Sequence, residues 1–147
     1  VGQNYGAKKY ERVRKGYLTA FCMMAVWGIF TSTVLVFFNG PIFRLFISEA
    51  DVVPVGMDYL RILGYGQMFM CLEMMTVGAL AGMGKTLVSS FISITFTSAR
   101  IPLALLFGGI LGLNGVWCAL TVSSISKGIV FCLTFSCILK KIGKEGA

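Results

Sequence analysis

The 147 residues are 56% hydrophobic and only 13% charged, with mean hydropathy +0.83, far from the balance of about a quarter charged residues in soluble domains. With no histidine, and with Cys22, Cys71, Cys118, Cys132 and Cys137 odd in number and free of any CxxC spacing, the sequence argues against a zinc or other metal site, a bound cofactor and a disulfide framework. The net charge of +7 comes from residues that flank apolar segments, where lysine and arginine set membrane orientation and meet anionic lipid, so nucleic acid is not the expected partner.

In chain order, a polar opening carries Lys8, Lys9, Arg12, Arg14 and Lys15. It starts at Val1 without a methionine and reads as an internal loop of a longer chain. Residues 16–38 follow as a first span with no charged residue, longer than the apolar part of a signal peptide. A loop at 39–51 holds Arg44. The second span is expected at 54–83, with Pro54 in its first turn and Asp51 as cap; Asp58 and Arg61 lie at its outer end, where Arg61 snorkels or pairs with Asp58. A third span occupies 86–110, where Pro102 marks a kink, and a fourth occupies 115–139. Each is about the twenty residues that cross a bilayer, so the fold class is all-α integral membrane, with four transmembrane helices.

Lys85 between spans two and three and Lys140, Lys141 and Lys144 in the tail join the five basic residues of the opening, whereas the opposite loops hold only Arg44. By the positive-inside rule both termini face the cytoplasm of a multi-pass plasma-membrane protein.

The stretch "GALAGMGKT", Gly78 to Thr86, ends like a phosphate-binding loop G-x-x-x-x-G-K-[ST]. The position its first glycine needs is Ala79, and no short β-branched strand precedes it. A nucleotide hydrolase, or any enzyme, is therefore not the expected reading. Gly78 and Gly82, one turn apart, are instead expected to let a neighbouring helix approach closely.

Three ionisable residues remain inside the spans: Glu73, Arg100 and Lys127. Each costs about 2.5–3.5 kcal/mol at mid-bilayer unless it finds a partner or water. At 1.5 Å per residue from the cytoplasmic ends, Glu73 lies about 14 Å deep, Lys127 about 17 Å and Arg100 about 21 Å. Glu73 and Lys127 can share a level. A carboxylate at that depth can exchange protons or hold sodium, which makes Glu73 the candidate coupling residue, with Lys127 and Arg100 as candidate charge partners. The alternative is a Glu73–Lys127 pair that only fixes helix register. Gly66, Phe69, Met70, Thr76 and Val77 share the helical face of Glu73 and form the candidate substrate-facing surface. Thr86, Ser90, Ser93 and Thr97 make a hydroxyl stripe leading to Arg100, read as interhelical glue or as the lining of an aqueous path.

From Gly2 to Leu139 the chain resembles the multidrug and toxic compound extrusion transporters. "GQNYGA" with its basic run resembles that family's loop before the ninth helix, "YLRIL" the start of the tenth, and "GALAGMGKT" its small-residue end; "RIPLALLF" and "LGLNGVWCA" resemble the eleventh helix and the start of the twelfth. The resemblance implies the C-terminal part, residues 1–147, of a twelve-helix, two-lobe antiporter in which inward sodium or proton flow drives efflux of cationic amphipathic compounds by alternating access. It also implies the remaining eight helices and the bilayer as partners, and a coupling acid on the tenth helix, which Glu73 matches. Two alternatives stand beside it. One is a self-contained four-helix exporter, whose key glutamate would sit in the first span, where there is none; the other is a non-transporting scaffold or lipid flippase, to which Glu73 would matter little.

Overall fold

The computed structural model describes residues 1–47 and 49–145; Ala147 and the side chain of Lys144 lie outside the described residues. Six helices follow one another: α1 (Gly2–Gly6), α2 (Tyr10–Phe37), α3 (Asn39–Arg44), α4 (Val52–Gly82), α5 (Thr86–Leu111) and α6 (Leu113–Glu145). No strand occurs among the described residues. Short turns join α4 to α5 and α5 to α6, α3 lies in the longer link from α2 to α4, and the long helices pack around α4, which touches every other helix.

Helices α2, α5 and α6 are long and apolar enough to cross a membrane. Helix α4 falls short on composition because it carries Asp58, Arg61, Gln67 and Glu73, yet its 31 residues extend about 46 Å at 1.5 Å per residue. The polar helix is the enclosed one, since the neighbours rather than lipid solvate its polar groups.

Lipid tails offer no hydrophobic drive for helix association, so close backbone approach and interhelical hydrogen bonds hold such a bundle. On the α2 side of α4, a Cβ at Gly28 would lie 2.8 Å from Met68 Cα and one at Gly64 2.8 Å from Val36 Cγ2; Ser32 Oγ donates to the Gly64 carbonyl at 2.5 Å. On the α6 side, a Cβ at Gly66 would meet Thr121 Cγ2 at 3.1 Å and one at Gly128 the Phe69 carbonyl oxygen at 2.7 Å, while Thr121 Oγ1 donates to Ile62 O at 3.1 Å. At one end of the bundle, Val13, Tyr17, Ala79, Leu80, Met83, Phe131, Phe135 and Ile142 form a buried cluster with Tyr5 and Tyr10 packed against it. Both ends of the described chain therefore lie at the same end of the bundle.

Several expectations are corrected. The second span begins at Val52, and Asp51 makes no side-chain cap, because the Glu49 carbonyl already accepts from the Val52 and Val53 amides. Within the 39–51 loop, α3 forms and sets the Phe43 ring against Gly56. Of the two alternatives for Arg61, the pair with Asp58 does not form; both residues are exposed, and the one ion pair among the described residues is elsewhere. A Cβ at Gly78 would meet nothing among the described residues, whereas Gly82 does admit a neighbouring helix, α1, a Cβ at Gly2 lying 2.5 Å from its carbonyl oxygen; close contacts between the long helices come from Gly28, Gly64, Gly66 and Gly128. Ser90 and Thr97 of the hydroxyl stripe are exposed, so the interhelical bonds come from Ser32, Thr121, Ser123 and Tyr17.

The "GMGKT" segment is a helix stop. Gly84, at φ +72, gives its amide to Ala81 O while Lys85 N–H reaches back to Leu80 O at 2.9 Å, the paired bonds of a Schellman cap. Those two amides are turned back into α4, where no phosphate can use them.

Three glycine substitutions check this packing by thermal unfolding in detergent. Gly128→Ala should destabilise by about 1–3 kcal/mol through forced separation of α4 and α6, and Gly84→Ala by about 1–2 kcal/mol from its left-handed backbone. Gly78→Ala should change stability by less than about 0.5 kcal/mol or raise it slightly; a large loss there would restore the packing role.

Candidate functional site

In the second half of α4, Glu73 points into the α4–α6 contact and Lys127 meets it from α6, with Nζ 2.7 Å from Oε1. Both residues are only 8% exposed. The two were expected at one depth, and the structure joins them. The level is set by the glycine contacts, because Gly128, next to Lys127, lies against the Phe69 backbone one turn before Glu73.

Arg100 has no carboxylate partner among the described residues. Its Nε donates to Ser123 Oγ at 3.2 Å and its Nη2 to Ser124 Oγ at 3.0 Å, while the Ser123 hydroxyl donates to the Phe96 carbonyl at 3.1 Å. The guanidinium is thus held by α6 hydroxyls and not by Glu73. Ser123 and Ser124 lie one helical turn from Lys127, so two cations and one carboxylate share this part of α6.

The candidate substrate-facing set divides. Gly66 and Thr76 are buried, and Phe69 and Val77 partly buried, against α6 and the core cluster. Only Met70 stays open, at 50% exposure; Met74, at 66%, joins it, with Gly78 and Ala81 also exposed on the same face. Thr76 cannot face a ligand in this arrangement, because its hydroxyl donates to Leu72 O at 2.8 Å and pairs with Tyr17 Oη at 3.0 Å. With the Thr76 proton spent on Leu72, the Tyr17 hydroxyl is the donor between them. The Tyr17 ring stacks on Phe135 with centroids 3.9 Å apart.

Tyr17 was not singled out from the sequence. The available signal was weak: one tyrosine near the start of a span reads as an interfacial anchor, and its partner Thr76 is 59 residues away. Burial at 3% exposure makes it instead the clasp that closes one end of the bundle beneath the ion pair.

A model of the MatE family matches residues 1–106. Among curated proteins, the chain is 28% identical over 142 residues to a probable multidrug resistance protein NorM of Thermotoga maritima, covering 92% of this chain and 30% of that protein. It is 29% identical over 136 residues to a probable multidrug resistance protein YoeA of Bacillus subtilis, covering 88% and 29%. It is 22% identical over 134 residues to the human multidrug and toxin extrusion protein 1, covering 89% and 24%. A solved inward-facing multidrug resistance MATE family transporter of the MOP superfamily superposes with a TM-score of 0.89 at 23% identity, over 99% of this chain and 34% of that one. At that identity the likeness speaks for the fold. The chain spans less than a third of the length of these curated relatives.

The clasp is measurable by a double-mutant cycle. Tyr17→Phe should cost about 1 kcal/mol, Thr76→Val about 1–3 kcal/mol by stranding the Tyr17 hydroxyl, and the double mutant less than their sum by at least about 0.5 kcal/mol. Strict additivity in thermal unfolding would show that the two hydroxyls do not depend on each other.

Proposed function

The chain belongs to the MatE family of multi-pass membrane transporters, and on that premise we propose that it forms the last four membrane helices of a cation-coupled multidrug exporter, with both of its ends on the cytoplasmic side. The relatives' names, multidrug resistance and multidrug extrusion, support the class of cargo. Cationic amphipathic compounds are the expected substrates, and sodium or protons the coupling ion.

One observation carries the reading: a carboxylate and an ammonium, both buried, paired at 2.7 Å between α4 and α6. Ionisable groups at such depth are costly, and transporters retain them where a charge must be taken up and released. In this proposal Glu73 accepts the coupling cation from one side of the membrane and gives it up on the other, as the lobe containing this chain rocks against the remaining eight helices. The exposed Met70 and Met74 of α4 offer a soft, adaptable surface to an apolar or aromatic cargo. Arg100, tied to Ser123 and Ser124, keeps α5 in register with α6 and takes no cation itself. The basic residues gathered near the end of the bundle that holds both termini, Lys8, Lys9, Arg12, Arg14, Lys15, Lys85, Lys140 and Lys141, support the cytoplasmic assignment of that end.

A second reading has its own observation. The tight Gly128–Phe69 contact beside the pair favours a purely structural ion pair that locks α4 against α6.

Drug efflux from vesicles under an imposed sodium or proton gradient separates the two in the full-length protein. If Glu73 couples, Glu73→Gln abolishes cation-driven efflux with insertion intact, and Lys127→Met does not restore it. If the pair is only structural, Glu73→Gln destabilises by about 3–5 kcal/mol through an unpaired buried lysine, and adding Lys127→Met returns both stability and transport. Full transport by that double mutant would refute the coupling role.

A further inference from the structure

We infer that Lys127 is a tethered counter-ion that the incoming cation must displace from Glu73, so that this lysine sets the apparent affinity of the site for a monovalent cation. The inference rests on the coupling role proposed for Glu73.

Three features of the α4–α6 contact lead to it. The carboxylate is already occupied, with the ammonium at 2.7 Å and both residues almost wholly enclosed. The helices approach closely on either side of the pair, because a single methyl group at Gly128 would come within 2.7 Å of Phe69 O, and one at Gly66 within 3.1 Å of Thr121 Cγ2. A sodium ion or proton that binds Oε1 therefore takes the place of the ammonium.

The charge balance makes the exchange unfavourable enough to be reversible. Lys127 pairs with Glu73 from α4, and the serines one turn before it on α6, Ser123 and Ser124, hold Arg100 of α5. Helix α2 contributes no charged residue between Lys15 and its end at Phe37. The incoming cation thus competes with the ammonium already on the carboxylate, with a second cation held one turn away along α6, and like charges in a low-dielectric site oppose one another. A bare carboxylate in the same enclosure would hold a cation more firmly and release it more slowly. The lysine supplies the competition that allows release, and it does so at a fixed local concentration because it is covalently part of α6.

The test uses the full-length transporter in proteoliposomes, with sodium titrated at fixed pH and protons titrated without sodium. Lys127→Met should lower the half-saturating concentration of the coupling cation at least about tenfold, equivalent to about 1.4 kcal/mol of removed competition. Lys127→Arg, whose guanidinium grips a carboxylate with two hydrogen bonds, should raise it. In detergent, thermal stability of Lys127→Met should rise with added cation more steeply than that of the unaltered protein, since the cation then fills an empty partner position. A structural lysine would leave the variant destabilised at every cation concentration. Should Lys127→Met not fold, the Lys127→Arg shift decides alone. An unchanged half-saturating concentration in the folded variants, with Glu73→Gln inactive, overturns the inference while the coupling role stands. Cation-driven efflux that survives Glu73→Gln removes the coupling role itself.

Discussion

An ammonium and a carboxylate held 2.7 Å apart inside a four-helix membrane bundle constrain most of what surrounds them. Neither charge is tolerable alone in hydrocarbon, and their attraction offsets desolvation only when geometry is tight and the rest of the surroundings is dry. Tight geometry requires α4 and α6 to approach at the right height. Gly66 facing Thr121 and Gly128 facing Phe69 permit that approach, and the Thr121 to Ile62 hydrogen bond holds its register. A residue with a side chain at either glycine would widen the contact and weaken the pair by the same displacement.

The same constraint explains the position of α4. On composition it is the least membrane-like of the four long helices, yet it makes contact with every other helix. Its hydroxyl, carboxylate and backbone carbonyl groups find partners in Tyr17, Lys127, Ser32 and Thr121, which lipid cannot supply. The apolar helices α2 and α5 turn large side chains outward instead, among them Trp27, Phe30, Phe91 and Ile101. Polar content and enclosure rise together because each buried polar group needs a neighbour to satisfy it.

Much of this was legible before the structure. Apolar segments of bilayer length located the four long helices to within a few residues, except at the basic ends of α2 and α6, which run on past the apolar blocks, and counting turns from the helix ends put Glu73 and Lys127 at one level. Small residues were harder. Gly78 and Gly82 carry the familiar one-turn spacing, but Gly78 looks away from every other part of the chain; spacing marks which glycines share a face, and only the fold decides what that face meets. Gly84 reads as part of a phosphate loop in one dimension and is a helix cap in three, because its positive φ and the backward bonds to Ala81 and Leu80 depend on where α4 stops. Thr76 and Tyr17 were hidden for a related reason. Their bond spans 59 residues, and no local pattern in either helix announces it.

Two features of α4, on adjacent faces, now bear on each other. Glu73 and Thr76 are one turn apart and both turn inward, the first to α6 and the second to Tyr17 of α2, while Met70, Met74 and Gly78 lie on the neighbouring outward face. Any rotation of α4 that carried Glu73 toward its open side would have to break the Lys127 contact and the Tyr17–Thr76 bond together, since one rigid helix carries both. The aromatic stack of Tyr17 on Phe135 adds to that resistance. Turning the carboxylate outward would therefore require two contacts on three helices to open together.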